Sequence, residues 1–134
     1  MSMDARPRIL IADNDSSVSA LLAEVLRASG LEPEVVGDGE AALARLHAAS
    51  FRLLVCDLDM PRMDGHTVLE RMADLASAPP VLIVTGYLDP RHEARLRAMP
   101  QVRAVFHKPF DVLAFAAHAR DLALGTGLQE AGAS

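Results

Sequence analysis

The stretch ILIADNDSSV, residues 9–18, passes directly from a core-like aliphatic run to a cluster of polar side chains. Its first four residues are apolar, which is typical of a short strand buried on both faces. The strand would end at Asp13, Asn14 and Asp15, where an amide stands between two carboxylates. Two acids at the end of a buried strand need a structural or chemical reason, and the rest of the chain supplies one.

Further aliphatic runs along the chain have the same character. Several are continuously apolar rather than alternating, a pattern that suits parallel strands with both faces covered. Together with the first run they predict five strands, at residues 8–12, 34–36, 52–56, 81–84 and 103–106.

Segments with helical spacing separate the predicted strands. The clearest carries an apolar stripe from Val18 to Leu26 and ends at Gly30, a common helix stop. Strands that alternate with helices predict an α/β fold, in which right-handed crossovers build a doubly wound parallel sheet with helices on both faces. The five helices are predicted at about 18–30, 40–49, 65–75, 90–99 and 111–124.

The composition is typical of one globular domain with an acidic surface. The chain has 134 residues, 51% of them hydrophobic, and a formal net charge of -5. Proteins that bind duplex nucleic acid or a membrane surface usually carry a basic patch, so neither is an expected partner. The single Cys56 forms no internal disulfide, and no apolar run approaches the roughly 18 residues of a membrane span. With no apolar segment at the N-terminus, we expect a cytoplasmic location.

The residues that follow the predicted strands form one candidate site, because ligands of an open parallel sheet bind beyond the carboxyl ends of its strands. Acids gathered at this edge would repel one another, by roughly 4 kcal/mol for two charges about 4 Å apart at an effective dielectric near 20. A hard divalent cation such as Mg²⁺ and a fixed ammonium would both offset that repulsion. The residues at this edge are Asp13, Asn14 and Asp15 after the first strand, Asp57 after the third, Thr85 after the fourth, and His107 and Lys108 after the fifth.

Four motifs resemble those of the receiver domain of two-component response regulators, the CheY-like family. ILIADNDSSV resembles its acidic strand end, VCDLDMPRMDG its phosphoacceptor loop, VLIVTGY its strand-end threonine and VFHKPF its Lys-Pro motif. They occur in the family's order and spacing over about residues 8–124. The resemblance implies a flavodoxin-like strand order of 2-1-3-4-5, with five helices in three α/β/α layers.

The resemblance also implies a chemical role for three of the site residues. Asp57 would be the nucleophile that accepts a phosphoryl group from a phosphohistidine. Lys108 and Thr85 would contact the phosphoryl oxygens, since phosphoryl transfer depends mainly on positioning and charge neutralisation. A cis peptide bond between Lys108 and Pro109 is typical of the family.

The metal site implied by the resemblance departs from the family pattern at one ligand. Mg²⁺, or Mn²⁺ in its place, would be held by Asp13 through water, by Asn14 and Asp57 directly, and by the backbone carbonyl of Asp59. Asn14 stands where receiver domains usually carry a carboxylate, so this ligand is a neutral amide. We hypothesise that the acid at Asp59 restores the missing charge.

A second departure concerns the aromatic residue that commonly moves inward when receiver domains are activated. Val105 occupies that place, and the side chain of Phe106 is expected on the opposite face of the strand. Other residues have simple structural interpretations. Asp15 is expected to cap the first helix, His107 to be solvated, and Cys56 to be an inert core residue.

The resemblance implies a signalling protein rather than a turnover enzyme. A sensor histidine kinase or a histidine phosphotransfer protein would donate the phosphoryl group. The product would regulate a downstream protein at the surface of the fourth helix, fifth strand and fifth helix, and we expect a monomer or weak dimer. Residues 1–124 are expected to form the receiver domain and residues 125–134 a flexible tail, as in a stand-alone receiver or a part of a larger regulator.

Two alternatives stay open from the sequence alone. DLDMP also resembles the Asp-x-Asp motif of haloacid-dehalogenase-type phosphohydrolases, in which Asp59 would act as general acid and base. Those enzymes place the motif near the N-terminus of a longer chain, and Pro61 here disrupts its usual continuation. The other alternative is a receiver fold that serves as an unphosphorylated interaction module, because Asn14 weakens the metal site.

Overall fold

Strands and helices alternate along the chain in the computed structural model, which describes residues 5–86 and 88–125. The strands are β1 (Arg8–Ala12), β2 (Glu32–Val36), β3 (Leu53–Cys56), β4 (Val81–Thr85) and β5 (Val102–His107). The helices are α1 (Ser16–Ala28), α2 (Gly39–Ala48), α3 (Gly65–Met72), α4 (Pro90–Arg97) and α5 (Val112–Leu124).

The strands form one parallel sheet in the order β2-β1-β3-β4-β5. β1 pairs with both β2 and β3, and Ala12 at its end lies opposite Cys56 at the end of β3. The residues that follow these two strands therefore leave the sheet side by side. The predicted fold class and strand order are confirmed.

Two apolar clusters, one on each face of the sheet, give the molecule three layers. α1 and α5 cover the face whose cluster includes Ile9 and Phe115. α2, α3 and α4 cover the other face, whose cluster includes Leu10 and Val68. Strands that are buried on both faces need apolar residues at every position, which explains the uninterrupted runs LLVC and VLIVT.

Most element boundaries lie within two residues of the prediction, and two of the differences have a clear physical reason. β2 begins at Glu32, earlier than predicted, and includes Pro33, which a strand at the edge of a sheet tolerates. α3 ends at Met72 rather than near Leu75, because the chain there closes into a tight turn in which the Leu75 amide donates to the Met72 carbonyl over 3.0 Å.

The described chain ends just after α5. Gly125 closes this helix in the left-handed conformation, with φ 76°, that glycine adopts without steric cost. The rest of the tail predicted at 125–134 lies outside the described residues. No helix within the described part of the chain is long and apolar enough to cross a membrane.

Candidate functional site

Asp13 and Asp57 lie side by side at the carboxyl edge of the sheet. They follow β1 and β3, and the Asp57 amide donates to the carbonyl of Ala12 over 2.9 Å. Both side chains are buried, with 3% and 5% of the residue surface exposed. The structure thus brings together the two acids that the strand ends predicted to be neighbours.

The backbone two residues further along the chain holds each of these carboxylates. Oδ1 of Asp13 accepts a hydrogen bond from the amide of Asp15 at 2.9 Å, and Oδ1 of Asp57 accepts one from the amide of Asp59 at 3.1 Å. Aspartate side chains commonly close such Asx turns. The repeated Asp-x-Asp pattern therefore has a conformational meaning that the sequence-based prediction did not include.

Lys108, the only lysine of the chain, joins the two acids. Its Nζ donates to Oδ2 of Asp57 at 3.1 Å and to Oδ2 of Asp13 at 3.3 Å. The Lys108–Pro109 peptide bond is cis, as the resemblance implies. Burial is the largest single effect on the pKa of Lys108 and lowers it, but the hydrogen bonds and charges of the two acids outweigh burial, so the pKa is raised. The ammonium is therefore a fixed positive charge at neutral pH.

The ionised form of Asp13 is disfavoured in this arrangement. Burial of its charged form is the main reason why the pKa of Asp13 is raised above the ordinary value of 3.8, and the charge of Asp57 adds to the effect. The hydrogen bond from the Asp15 amide and the ammonium of Lys108 act in the opposite direction without cancelling it. A further positive charge at this edge would stabilise the ionised acid.

Thr85 stands apart from this hydrogen-bonded group. It ends β4, pairs with His107 of β5, and is 3% exposed. Its carbonyl accepts a hydrogen bond from the Lys108 amide at 2.7 Å, which fixes its backbone. Among the residues that the structure describes, the Thr85 hydroxyl has no hydrogen-bond partner.

Comparison with known proteins decides the family. A family model described as "Response regulator receiver domain" matches residues 9–120. The chain belongs to this family. The prediction from the four sequence motifs is confirmed, and the haloacid-dehalogenase alternative gains no support.

The relatives of this receiver domain include longer proteins. A protein-glutamate methylesterase/protein-glutamine glutaminase 1 from Anaeromyxobacter dehalogenans (strain 2CP-C) is 37% identical over 94 residues, which are 69% of this chain and 26% of that protein. The transcriptional regulatory protein RprY from Bacteroides fragilis (strain YCH46) is 32% identical over 86 residues, which are 64% of this chain and 36% of RprY. The receiver domain therefore spans only a minor part of these relatives.

A solved structure has the same fold. The signal receiver domain of a putative Luxo repressor protein from Vibrio parahaemolyticus superposes with a TM-score of 0.84, covering 97% of this chain and 99% of that one. The two sequences are 18% identical, so this likeness shows the fold alone. As a receiver domain, the chain is a phosphoacceptor module of two-component signalling. Members of this family interact with histidine kinases and downstream effectors and bind Mg²⁺ at an acidic pocket.

The donor atoms near the two buried acids of this receiver domain suit a hard cation. Asp13 and Asp57 offer carboxylates, Asn14 an amide oxygen and Asp59 a backbone carbonyl, and Mg²⁺ prefers such oxygen ligands. Within the described residues, no three His, Cys, Asp or Glu side chains are placed to hold one metal ion. The Asp59 carboxylate is exposed, and its compensation of the missing charge stays a hypothesis.

The loop that follows Asp57 in the receiver domain requires glycine. A Cβ on Gly65 would lie 2.5 Å from the carbonyl oxygen of Asp57 and 2.9 Å from Cα of Leu58. The Gly65 amide donates to the Leu58 carbonyl over 3.0 Å, and Asp64 caps α3 by accepting from the Thr67 amide at 2.9 Å. The Asp-Gly pair of the second motif therefore fixes the backbone that carries Asp57.

Two further expectations about single residues are confirmed. Asp15 caps α1, because its carboxylate accepts hydrogen bonds from the amides of Ser17 and Val18. Val105 packs against the apolar cluster beneath α2, α3 and α4, whereas Phe106 packs against the cluster on the opposite face. The aromatic side chain at 106 therefore does not take the place of the one absent at 105.

His107 and Cys56 differ in how well their surroundings were predicted. His107 is exposed as expected, but its ring contacts the carbonyl of Gly86 and the carboxylate of Glu93. No sequence pattern pairs a strand-end histidine with a residue of α4, so this contact was missed. Cys56 is fully buried, and burial raises the pKa of its thiol, as expected of an inert core residue.

Proposed function

We propose that this receiver domain accepts a phosphoryl group on the carboxylate of Asp57. The observation that carries the proposal is the Lys108 ammonium 3.1 Å from Asp57. A carboxylate oxygen of Asp57 would bond to phosphorus as the P–N bond of a phosphohistidine breaks, and the electron pair of that bond would return to the imidazole. The ammonium of Lys108 stands where the added negative charge of the phosphoryl group would be neutralised.

The other residues of the site would position the phosphoryl group. The amide of Asp59 holds the Asp57 carboxylate in one orientation, and the hydroxyl of Thr85 would donate to a phosphoryl oxygen. Bound Mg²⁺, held by Asp13, Asn14, Asp57 and the Asp59 carbonyl, would neutralise charge on the phosphoryl oxygens.

The signal would leave the site through Thr85. If its hydroxyl moves toward the roughly 1.5 to 2 negative charges of the new phosphoryl group, the loop that follows β4 moves with it. The position of α4 would then change, and a downstream protein would bind the surface formed by α4, β5 and α5. This is a shift between two populations of packing, and the domain would act as a switch rather than as an enzyme that turns over a substrate.

The phosphodonor would approach beside Lys108. An apolar groove of about 370 Å³ lies there, between α1 and the segment after β5, and Leu21, Leu22 and Phe110 are among its lining residues. Because Lys108 lines both the groove and the phosphoacceptor site, we assign the groove to the histidine-bearing helix of the donor, a histidine kinase or a phosphotransfer protein. A cytoplasmic location and a monomer or weak dimer belong to the same proposal.

Incubation with acetyl phosphate and Mg²⁺, followed by intact-protein mass spectrometry, tests this function. We expect one added phosphoryl group on the wild type and none on Asp57→Asn. If neither acetyl phosphate nor a panel of histidine kinases modifies the wild type, the domain is an unphosphorylated interaction module. The exposed, uncharged Asn14 at the metal site is the observation that favours that second candidate.

Substitution of Asn14 measures how much the missing carboxylate matters. We expect Asn14→Asp to raise Mg²⁺ affinity by about tenfold, because a charged ligand adds to the attraction for the cation. The Asp59→Asn control should leave the affinity unchanged. A marked loss of Mg²⁺ affinity in Asp59→Asn, measured by calorimetric titration, would support the compensation hypothesis.

A further inference from the structure

The helix α4 has less apolar anchoring than any other helix that the structure describes. Leu96 is its single buried residue, whereas the other helices bury between three and four. Two consecutive residues of α4, His92 and Glu93, instead make hydrogen bonds to histidines of neighbouring elements. The protonation of these histidines therefore bears directly on how α4 is held.

The first contact is made by His107, the last residue of β5. Its Nε2 lies 2.9 Å from Oε1 of Glu93, and its Nδ1 lies 3.3 Å from the carbonyl oxygen of Gly86. The carbonyl can only accept, and so can the Glu93 carboxylate, whose pKa is lowered by Arg97 and by His107. Both ring nitrogens must therefore carry a proton for both hydrogen bonds to form. A neutral His107 ring keeps at most one of them.

The bond to Gly86 is the one that reaches the phosphoacceptor site. Gly86 directly follows Thr85, and Thr85 pairs with His107 across the two strands. The imidazolium form of His107 thus ties the start of the loop after β4 both to β5 and, through Glu93, to α4. Loss of its Nδ1 proton would release this loop.

The second contact joins α4 to α3, where His92 meets His66. Nε2 of His92 is 3.1 Å from Nδ1 of His66, and Nε2 of His66 is 3.2 Å from the Glu70 carboxylate. One proton between the two rings makes a hydrogen bond. When both rings are fully protonated, two N–H groups face each other and the bond is lost. This contact therefore fails at low pH, where the His107 contact is complete.

Charged groups surround both contacts. His107 faces Glu93 and Arg97 of α4 and is followed by Lys108. Acids and arginines also lie near the histidine pair. These are Asp64 and Glu70 at α3, Asp89 before α4, and Arg91 and Arg95 on α4.

We propose that α4 is held by two histidine contacts that respond to protonation in opposite directions, so that the positions of α4 and of the loop after Thr85 change with pH. At lower pH the helix is fastened to β5 through His107 and released from α3. At higher pH it is fastened to α3 through His66 and His92. The neutral His107 ring then keeps its proton on Nε2, because the Glu93 carboxylate is a stronger acceptor than a carbonyl, and the Gly86 carbonyl is released. Phosphorylation of Asp57 is not needed for this behaviour.

The test is an NMR titration of the unphosphorylated protein between about pH 5 and 8, the range in which histidine changes charge. We expect the ¹³C shift of the Gly86 carbonyl to follow the protonation of the His107 ring. The amide signals of the α3–α4 contact should follow the second protonation of the His66–His92 pair. His107→Gln should abolish the titration of the Gly86 carbonyl and keep that of the α3–α4 amides. His92→Gln should abolish the titration of the α3–α4 amides and keep that of the Gly86 carbonyl.

The exposed His47 of α2 provides a matched control, since His47→Gln removes a histidine remote from both contacts and should preserve both titrations. A Gly86 carbonyl shift that stays constant while His107 titrates would overturn the proposal. So would a titration of Gly86 that persists in His107→Gln, or in His107→Phe if the first variant does not fold. Because no phosphoryl donor is present, these outcomes are independent of whether Asp57 is a phosphoacceptor.

Discussion

The two halves of the phosphoacceptor site differ in how firmly the fold holds them. In the anchored half, each carboxylate of Asp13 and Asp57 accepts one backbone N–H and shares the ammonium of Lys108. In the Thr85 half, the hydroxyl has no partner within the described residues, and the helix that follows buries only Leu96. The first half holds its charges in fixed places, and we propose that the second half moves toward the phosphoryl group.

From this difference we expect phosphoryl uptake to depend on the anchored half and the conformational response to depend on the Thr85 half. A site in which every group was anchored would bind a phosphoryl group without passing on its arrival. A site with no anchored group would lose much conformational entropy each time its side chains became ordered for the reaction. Substitutions in the anchored half should therefore affect phosphoryl uptake or stability, and substitutions in the Thr85 half should affect the response.

The largest effect is expected from removing the ammonium of the anchored half. Lys108→Met should slow phosphoryl uptake from acetyl phosphate by about 10²–10³-fold, the usual loss when one preorganised stabilising group is removed. Lys108→Arg keeps the charge and should recover part of the rate, although its geometry differs. A Lys108→Met rate within a few fold of wild type, measured by stopped assays at saturating Mg²⁺, would mean that the anchored half does not depend on this cation.

Adding a methyl group at Gly65 should distort the backbone of the anchored half. Because the new Cβ would meet backbone atoms of Asp57 and Leu58, the loop must shift, and Gly65→Ala should lower the free energy of unfolding by about 1–3 kcal/mol. Gly37→Ala, where no atom lies within 4 Å of the new Cβ, should leave stability unchanged or raise it by up to about 1 kcal/mol. Equal urea midpoints for the two variants would contradict the close approach at Gly65.

The Thr85 half should show the opposite pattern. Thr85→Ala removes one hydrogen bond to the phosphoryl group and should slow its uptake by at most about tenfold. The changes in amide chemical shift that phosphorylation causes at residues 86 and 88–97 should be lost, whereas Thr85→Ser should keep them. Retention of these shift changes in Thr85→Ala would show that the signal leaves the site by another route.

The smallest effect is a change in how stability depends on pH. The pKa of Asp13 is raised in the folded state, so the folded protein binds more protons than the unfolded chain just above pH 3.8, and stability falls as the pH rises through the folded-state pKa. Asp13→Asn should therefore be more stable than wild type at neutral pH, and the difference should vanish below about pH 3.8. Thermal melts across this range measure it, with Asp15→Asn as the control in the same loop. If Asp13→Asn is less stable than the wild type at neutral pH, the ionised Asp13 carboxylate does not destabilise the folded protein, and this account is contradicted.

Much of this fold was predictable because its signals are local. Uninterrupted runs such as residues 53–56 and 81–85 mark strands buried on both faces, and the acids that follow β1 and β3 mark the edge where a parallel sheet binds ligands. The position of Asp15 before Ser16 predicted its role as a cap. The early start of β2 was missed, because Pro33 is permitted there only by the edge position of the strand.

The contacts that the sequence did not reveal are between side chains far apart along the chain. His66 and His92, and likewise Glu93 and His107, meet only because α3, α4 and β5 adjoin in the folded molecule. The Asp59 carboxylate is exposed, and the Asp59 amide bonds back to Asp57 in a local turn that the sequence-based prediction did not include. The compensation that charge alone suggested stays a hypothesis.

The most direct test of the central claim is to locate the phosphoryl group. The phosphorylated protein is reduced with borohydride, which converts an acyl phosphate into a stable alcohol, and the modified residue is identified by peptide mass mapping. We predict modification at Asp57 in the wild type and none in Asp57→Asn. Modification at Asp13 or Asp59 in the wild type, or equal modification of Asp57→Asn, would contradict the assignment of Asp57 as the phosphoacceptor.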